Sequence, residues 1–504
     1  MLRSHRLPEY NVRIDPDTCD VCKACVFQCT FDVFSHIEAE NKISIDESKC
    51  VDCHRCIVFC KENSITVTPT QIQYRPHATW NQDSVHNIMK QAESGGILLT
   101  AMGCVKPNYN YFDKLLINAS QVTNPSIDPI REPMELRTYL GANPDKLTIS
   151  ENNGNSVIDT SETPQLLLET PIMFSAMSLG SVNINVQESL AIAAVSSGTY
   201  QNIGEGGLHP KLKKYGKNLI VQVASGRYGV NKEYLDSGAA VEIKIGQGAK
   251  PGIGGHLPGE KITEEISETR RIPAGTDAIS PAPQHDIYSI EDLSQLIYAI
   301  KESTEFSKPV IVKIAAVHNS AAIATGIARS GADIIAIDGM RGSTGAAPLV
   351  MRDNVGIPLE MAIASVDTRL NQEGIRNRIS LVAGGGIRSS SDAFKIIALG
   401  ADAVYVSTAV LIAMGCTVCQ KCYTGKCPWG LTTMNPAISN RINPKIASKR
   451  VANLVRAWTL EIKDMLGGMG INSIESLRGN RHQLRGVGLS DREMAILGVK
   501  PAGT

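Results

Sequence analysis

Thirteen cysteines in 504 residues fall mostly into three tight groups, and their spacing is the strongest chemical signal in the chain. Cys19, Cys22, Cys25 and Cys29 form C-x2-C-x2-C-x3-C, and Cys50, Cys53, Cys56 and Cys60 repeat it. A third group lies in MGCTVCQKCYTGKCPWGLTT, residues 414–433, where Cys416, Cys422 and Cys427 stand in C-x5-C-x4-C with Cys419 left over between them. Thiolates packed this densely, in a chain that opens without an apolar leader, want iron or zinc rather than one another. For the first two groups zinc is the disfavoured alternative to iron. For the third, a small structural zinc knot, or buried thiols acting as small hydrophobes, stays open beside iron. Cys104 and Cys419 have no cluster-like role.

Other polar residues stand at the ends of apolar runs. Lys313 lies near the end of VIVKIA, where a buried lysine either holds an anionic ligand or is a satisfied structural lysine; its glycine-rich neighbours favour the ligand. Those neighbours read IDGMRGSTGAAP, VAGGGIRSSSD and VYVSTAV. Glycine lets a backbone approach a phosphate closely with its amides turned to the ligand. Gly384, Gly385, Gly386, Ser407 and Thr408 are therefore candidates for a cofactor phosphate. The longest irregular stretch, 245–293, is of a length that is usually functional.

The elements that must position these residues are short apolar segments at 171–175, 199–203, 219–224, 240–245, 309–314, 333–337, 380–383 and 403–407. They read as strands buried on both faces, alternating with helical patterns. SIEDLSQLIYAI opens with Ser289 and Asp292 as a near capping box, and DAFKIIALG stops at Gly400. The repeats predict an α/β fold, a (β/α)8 TIM barrel whose chemistry lies at the C-terminal strand ends, and the third cysteine group follows the eighth strand onto that face. Beyond it, Asn443 and Pro444 open a helix whose stripe of Val451, Leu454, Val455, Trp458, Ile462 and Leu466 is expected to be core. The expected domains are a cysteine-rich α+β unit at 1–70, a connecting region at 71–168, the barrel at 169–435 and a helical extension at 436–504.

Charge narrows the function classes. Fifty Lys plus Arg balance fifty Asp plus Glu, so nothing argues for nucleic acid or a membrane surface as partner. No apolar run reaches the ~18 residues of a spanning helix, and the start of the chain lacks a signal-peptide segment, so a cytoplasmic location is expected.

The paired C-x2-C-x2-C-x3-C runs resemble the bacterial two-cluster ferredoxin pattern, in which the fourth cysteine of each run serves the other cluster. That resemblance implies one 4Fe-4S cluster on Cys19, Cys22, Cys25 and Cys60, and a second on Cys50, Cys53, Cys56 and Cys29. Thr30 and Lys61 stand where proline usually follows. Downstream, TNPSIDPIREPMELRTYLG, SAMSLGSVN, NIGEGG, QVASGRYGV, QGAKPGIGGHLPG, DAISPAPQHDIYSIEDL, GSTGAAP and the C-x5-C-x4-C loop occur in the order found in the synthase domain of glutamate synthases. With the ferredoxin-like segment, the chain resembles the archaeal-type large subunit.

The resemblance implies FMN, and a 3Fe-4S cluster on Cys416, Cys422 and Cys427. For the flavin it points to Met177, Ser178, Gln222, Lys313, Gly342, Gly345, Gly385 and Gly386. For 2-oxoglutarate it points to Glu205, Gln247, Lys250, His256 and Arg270, with Arg271 adjoining as a rival for the last, and Glu205 and Lys313 expected to be catalytic. His256 and Ile253 depart from the common GEGGQLPG form, and Gln284 replaces a histidine of PHHD. The implied activity is reduction of 2-iminoglutarate, from 2-oxoglutarate and ammonia, to L-glutamate. The same motifs fit a subunit of methylamine-glutamate N-methyltransferase, or an electron-transfer subunit that has lost catalysis. Leu2 stands where a glutaminase would carry its cysteine nucleophile, and the GxxGxxG domain of long family members is missing from this sequence. Separate glutaminase and GxxGxxG-domain subunits are the expected partners, together with ferredoxin or an NAD(P)H-oxidising subunit as electron donor.

Overall fold

The computed structural model describes residues 8–70, 81–143, 148–152, 154–159, 164–282 and 284–504; Leu2, the first ten residues of the expected connecting region and Pro283 lie outside the described residues. Runs such as LIVQV and VIVKIA form strands buried along their whole length, as strands between a filled interior and an outer ring of helices must be. They are β1 (Ile172–Phe174), β2 (Gln201–Asn202), β3 (Leu219–Val223), β4 (Ala240–Lys244), β5 (Val310–Ala315), β6 (Ile334–Asp338), β7 (Ser380–Gly384) and β8 (Ala403–Val406). All pair parallel in sequence order, and β8 closes onto β1 with Val404 opposite Ile172. Each of the eight expected strands is present.

The foot of the barrel is plugged. Thr138–Leu140 and Leu166–Leu168 pair antiparallel, and Leu140, Leu166 and Leu168 pack on Met173, Ile220, Ile311, Ile334 and Val382 at the N-terminal half of the barrel. These two strands fall in the expected connecting region; three residues a side is too short to register as alternation. The TNPSIDPIRE segment lies instead against the end of the C-terminal helix Pro444–Met469, where the Ile127 amide donates to the Gly467 carbonyl at 2.9 Å. A Cβ at Gly467 would come within 2.4 Å of the Ile127 carbonyl oxygen, so only glycine permits the contact. That helix starts as its sequence predicts: the Asn443 side chain accepts from the Lys445 and Ile446 amides, and Pro444 takes the first position. Its buried face carries Val451, Val455, Trp458, Ile462 and Leu466 and packs on helix Ile184–Ser196.

The N-terminal unit is built twice over from one plan. Tyr10–Ile14 pairs antiparallel with Ile65–Pro69, Phe34–Ile37 with Lys42–Ile45, and each cysteine run leads into a short helix, Ala24–Gln28 or Arg55–Val58. Its small core, Val12, Val33, Phe34, Ile43 and Ile65 with Cys25, is separate from that of the barrel. Polar contacts tie it to the third cysteine loop. The Trp429 indole and the Thr417 hydroxyl both donate to the Cys53 carbonyl, at 3.1 and 3.2 Å, and Thr30 Oγ1 donates to the Lys426 carbonyl at 2.6 Å. Arg441 bridges the two parts, donating to Phe27 O at 3.1 Å and to Pro428 O at 2.7 Å. Among the described residues no helix is long and apolar enough to cross a membrane.

Candidate active site and cysteine cavities

A cavity opens at the C-terminal end of the barrel. Its walls include Met177, Ser178, Glu205, Gln222, Gln247, Lys250, His256, Arg270, Lys313, Gly345 and Ser407, drawn from seven strand ends and the long loop. With Met102 and Thr432 also on the walls, sequence positions up to 330 apart meet in one chamber. Gly342, Gly385, Gly386 and Thr408 do not line it. Gly385 packs against the Gly339 backbone, with a φ of 108° and no room for a Cβ, and Thr408 Oγ1 lies 2.6 Å from the wall residue Ser343. The long loop lines the chamber with a hairpin, Gly255–Leu257 paired with Ala278–Ser280, and carries helix Glu264–Arg270 between the two strands.

Charge in the chamber is organised around two carboxylates. Glu205 receives Lys244 Nζ at 3.1 Å and the Ser280 hydroxyl at 2.9 Å. Burial alone would push its carboxyl up; Lys244, Arg270 and Ser280 outweigh it and hold the group down at about 2. Glu242, fully buried in β4, accepts from Gln222 Nε2 at 2.6 Å and the Tyr405 hydroxyl at 3.1 Å, with Lys313 Nζ at 3.7 Å. Burial raises the Asp338 carboxyl beside it, against the pull of Lys313. Burial, with Lys244 nearby, lowers the Lys250 amine to about 8, and its Nζ donates to the Ala346 carbonyl at 3.0 Å. Arg270 donates to Leu179 O at 2.9 Å, while its buried Nε has no hydrogen-bond partner among the described residues. A buried, partly unsatisfied guanidinium beside an amine is a donor set suited to carboxylates. Ser178, Gln222, Lys313 and Ser407, flanked by Met177 and Leu411, are the mixture of donors and apolar faces that an isoalloxazine ring needs.

Three smaller cavities are lined by the cysteines. One has Cys19, Cys22, Cys25 and Cys60 on its walls; another has Cys29, Cys50, Cys53 and Cys56. Each run therefore lends its last thiol to the other's cavity, and both are otherwise walled largely by apolar side chains. The third is lined by Cys416, Cys419, Cys422 and Cys427 with Trp429 and Leu431. Burial pushes the Cys53, Cys56 and Cys422 thiols up to about 12, a cost that coordination to a cation would reverse. Met102, Leu411, Cys422 and Thr432 line both this cavity and the barrel chamber. Lys261 Nζ, on the chamber wall, donates to Cys422 O at 3.0 Å.

The conserved region of glutamate synthases matches residues 106–472. The chain belongs to the glutamate synthase family. It is 61% identical, over 97% of both chains, to the archaeal-type glutamate synthase (NADPH) of Dehalococcoides mccartyi. It is 60% identical to the archaeal glutamate synthase (NADPH) of Archaeoglobus fulgidus over 99% of this chain and 98% of that one. The counterpart in Methanocaldococcus jannaschii is 55% identical over the full length of both. Against that family background, helix Glu264–Arg270 separates the two candidate arginines: Arg270 is buried in the chamber, whereas Arg271 caps the helix with a φ of 59° and is exposed. His256 sits at the rim, 3.0 Å from Asp277. Gln284 is buried and donates to the Lys244 carbonyl at 2.7 Å, so this departure from PHHD acts on the end of β4. Sequence reasoning missed Glu242, Lys244, Asp338 and Arg341. The first two carried a usable signal, since a charge inside an apolar strand, AVEIK, is the same mark that singled out Lys313 in VIVKIA.

Proposed function

We propose that this chain reduces 2-iminoglutarate, formed from 2-oxoglutarate and ammonia, to L-glutamate on FMN, with electrons delivered through iron-sulfur clusters. The class, an oxidoreductase acting on the CH-NH2 group of donors, is that of the family. The observation that carries the reading is the wall shared by the barrel chamber and the third cysteine cavity. Bound FMN supplies a two-electron reductant and the clusters supply one-electron transfer.

The protein's own residues would bind and orient. Met177, Ser178, Gln222, Lys313, Gly345 and Ser407 would hold the flavin ring and chain, with Lys313 set against its anionic edge. Gly342, Gly385, Gly386 and Thr408 would shape the backbone beneath the phosphate, where Arg341 keeps a buried Nε without a hydrogen-bond partner among the described residues. Lys250 and Arg270 suit the two carboxylates of the keto acid, with Gln247 and His256 beside them. Glu205, ionised across the physiological range, serves as an acceptor for the nitrogen of ammonia or imine and is a poor acid. The N-terminal unit, 1–70, is read as a two-cluster ferredoxin-like domain, with 4Fe-4S clusters on Cys19, Cys22, Cys25 and Cys60 and on Cys50, Cys53, Cys56 and Cys29. A connection at 71–168, the synthase barrel at 169–435 and a helical extension at 436–504 complete the chain. Cys416, Cys422 and Cys427 hold the third cluster. The relatives are named for NADPH, which supports a separate NADPH-oxidising subunit over ferredoxin as the electron donor; glutaminase and GxxGxxG-domain subunits are the other proposed partners.

The test is anaerobic. Flavin reduced in the purified chain should reoxidise on addition of 2-oxoglutarate with ammonium and release glutamate. Conversion of glutamate and methylamine to N-methylglutamate and ammonia, read by product analysis, would instead support the N-methyltransferase reading, and no turnover in either assay would leave an electron-transfer subunit.

A further inference from the structure

The third cysteine loop has the backbone of the two N-terminal loops. Cys416, Cys419 and Cys422 repeat the C-x2-C-x2-C spacing of Cys19, Cys22 and Cys25 and of Cys50, Cys53 and Cys56. In each loop the residues just before and just after the middle cysteine are left-handed, although none is glycine. The angles are 55° and 61° at Val21 and Lys23, 54° and 58° at Asp52 and His54, and 55° and 59° at Val418 and Gln420. Left-handed backbone is uncommon outside glycine and a true outlier for a β-branched valine, so a matched pair around each middle cysteine marks a shared constraint. In the first two loops that turn puts the middle thiol, Cys22 or Cys53, on the wall of a four-cysteine cavity. In the third it puts Cys419 on the wall with Cys416, Cys422 and Cys427. The Val418 amide, donating to Cys416 Sγ at 3.4 Å, braces the turn. Pro428 follows the last cysteine, as in the bacterial C-x2-C-x2-C-x3-C-P runs.

Resting on the reading that this loop holds an iron-sulfur cluster, we infer that Cys419 is its fourth ligand and that the centre beside the flavin chamber is a 4Fe-4S cube. The three-ligand assignment leaves a soft thiol facing the vacant corner of a three-iron cluster, which is where a fourth iron binds. On coordination the Cys419 thiol gives its proton to solvent and takes no other part.

The test uses the full chain with its clusters, purified without oxygen. After mild oxidation, wild type should show no three-iron EPR signal, and Mössbauer spectra should contain only four-iron components. Cys419→Ala should then show a three-iron signal approaching one per chain while keeping its flavin. A near-stoichiometric three-iron signal in anaerobic wild type, unchanged in Cys419→Ala, overturns the inference. Should Cys419→Ala not accumulate, the wild-type Mössbauer spectrum alone decides between the two. Cys422→Ala separates the inference from its basis: iron content and spectra equal to wild type there would mean that the loop holds no cluster at all.

Discussion

The N-terminal unit and the barrel are ordered by different means. In the unit, the buried apolar set amounts to a handful of side chains from 12 to 65, and eight thiols stand where a larger domain would place leucines. In the barrel, strands buried over their full length and a ring of helices supply a core that needs no ligand. The contrast teaches that the same chain contains one part with little buried apolar surface, for which the proposed clusters would supply much of the folding free energy, and one whose binding chamber is pre-formed.

Iron removal tests that contrast most severely. Chelation under reducing conditions should abolish hydrogen-exchange protection of Tyr10–Ile14 and Ile65–Pro69 while β3 to β7 keep theirs; protection surviving in the N-terminal pair would break the comparison. Next in size is the charge at the substrate end of the chamber. Lys250→Ala should raise the KM for 2-oxoglutarate by roughly 10- to 100-fold, the ~1.5–3 kcal/mol of a charged hydrogen bond, with flavin content unchanged. Unchanged kinetics would place the keto acid elsewhere.

A smaller effect follows from the Lys250 amine. Its value is depressed to about 8, so it is charged below that pH and neutral above it. The KM for 2-oxoglutarate should therefore rise as pH climbs through this range, and Lys250→Arg, which stays charged, should flatten the profile. A wild-type profile as flat as that of the arginine variant would remove Lys250 from the carboxylate site. Least in size is the seam between the two parts. Trp429→Phe removes the indole donor to Cys53 O and should lower the apparent stability of the N-terminal unit by about 0.5–1.5 kcal/mol, read from exchange at Tyr10–Ile14, without changing barrel exchange. An equal loss in both would show that they unfold as one.

Legibility in the sequence followed the range of the interactions. The cysteine groups could be seen because their ligands recur within a few residues, and the eight strands because a doubly buried strand must be apolar throughout. The grouping of Glu205, Lys250, Arg270 and Lys313 was accessible only through the order of family motifs, since barrel closure and not spacing brings them together. Glu242 was marked by its charge within AVEIK, but its partners, Gln222, Tyr405 and Lys313, come from three other strands and could not be read from spacing. The foot strands Thr138–Leu140 and Leu166–Leu168 were hidden for a different reason: each is too short to show a period. Cys419 was set aside because a three-cysteine spacing accounted for its neighbours, whereas the left-handed residues on either side of it are a property of backbone and leave no mark in residue type.

The plug at the foot of the barrel has a kinetic consequence. Leu140, Leu166 and Leu168 seal the far end with aliphatic carbon, so the chamber is a cul-de-sac. Ligands then reach the chamber from its other end, whose lining includes the hairpin Gly255–Leu257 and Ala278–Ser280. Substrate and product that share that end compete for it, so changes in the hairpin are expected to alter turnover.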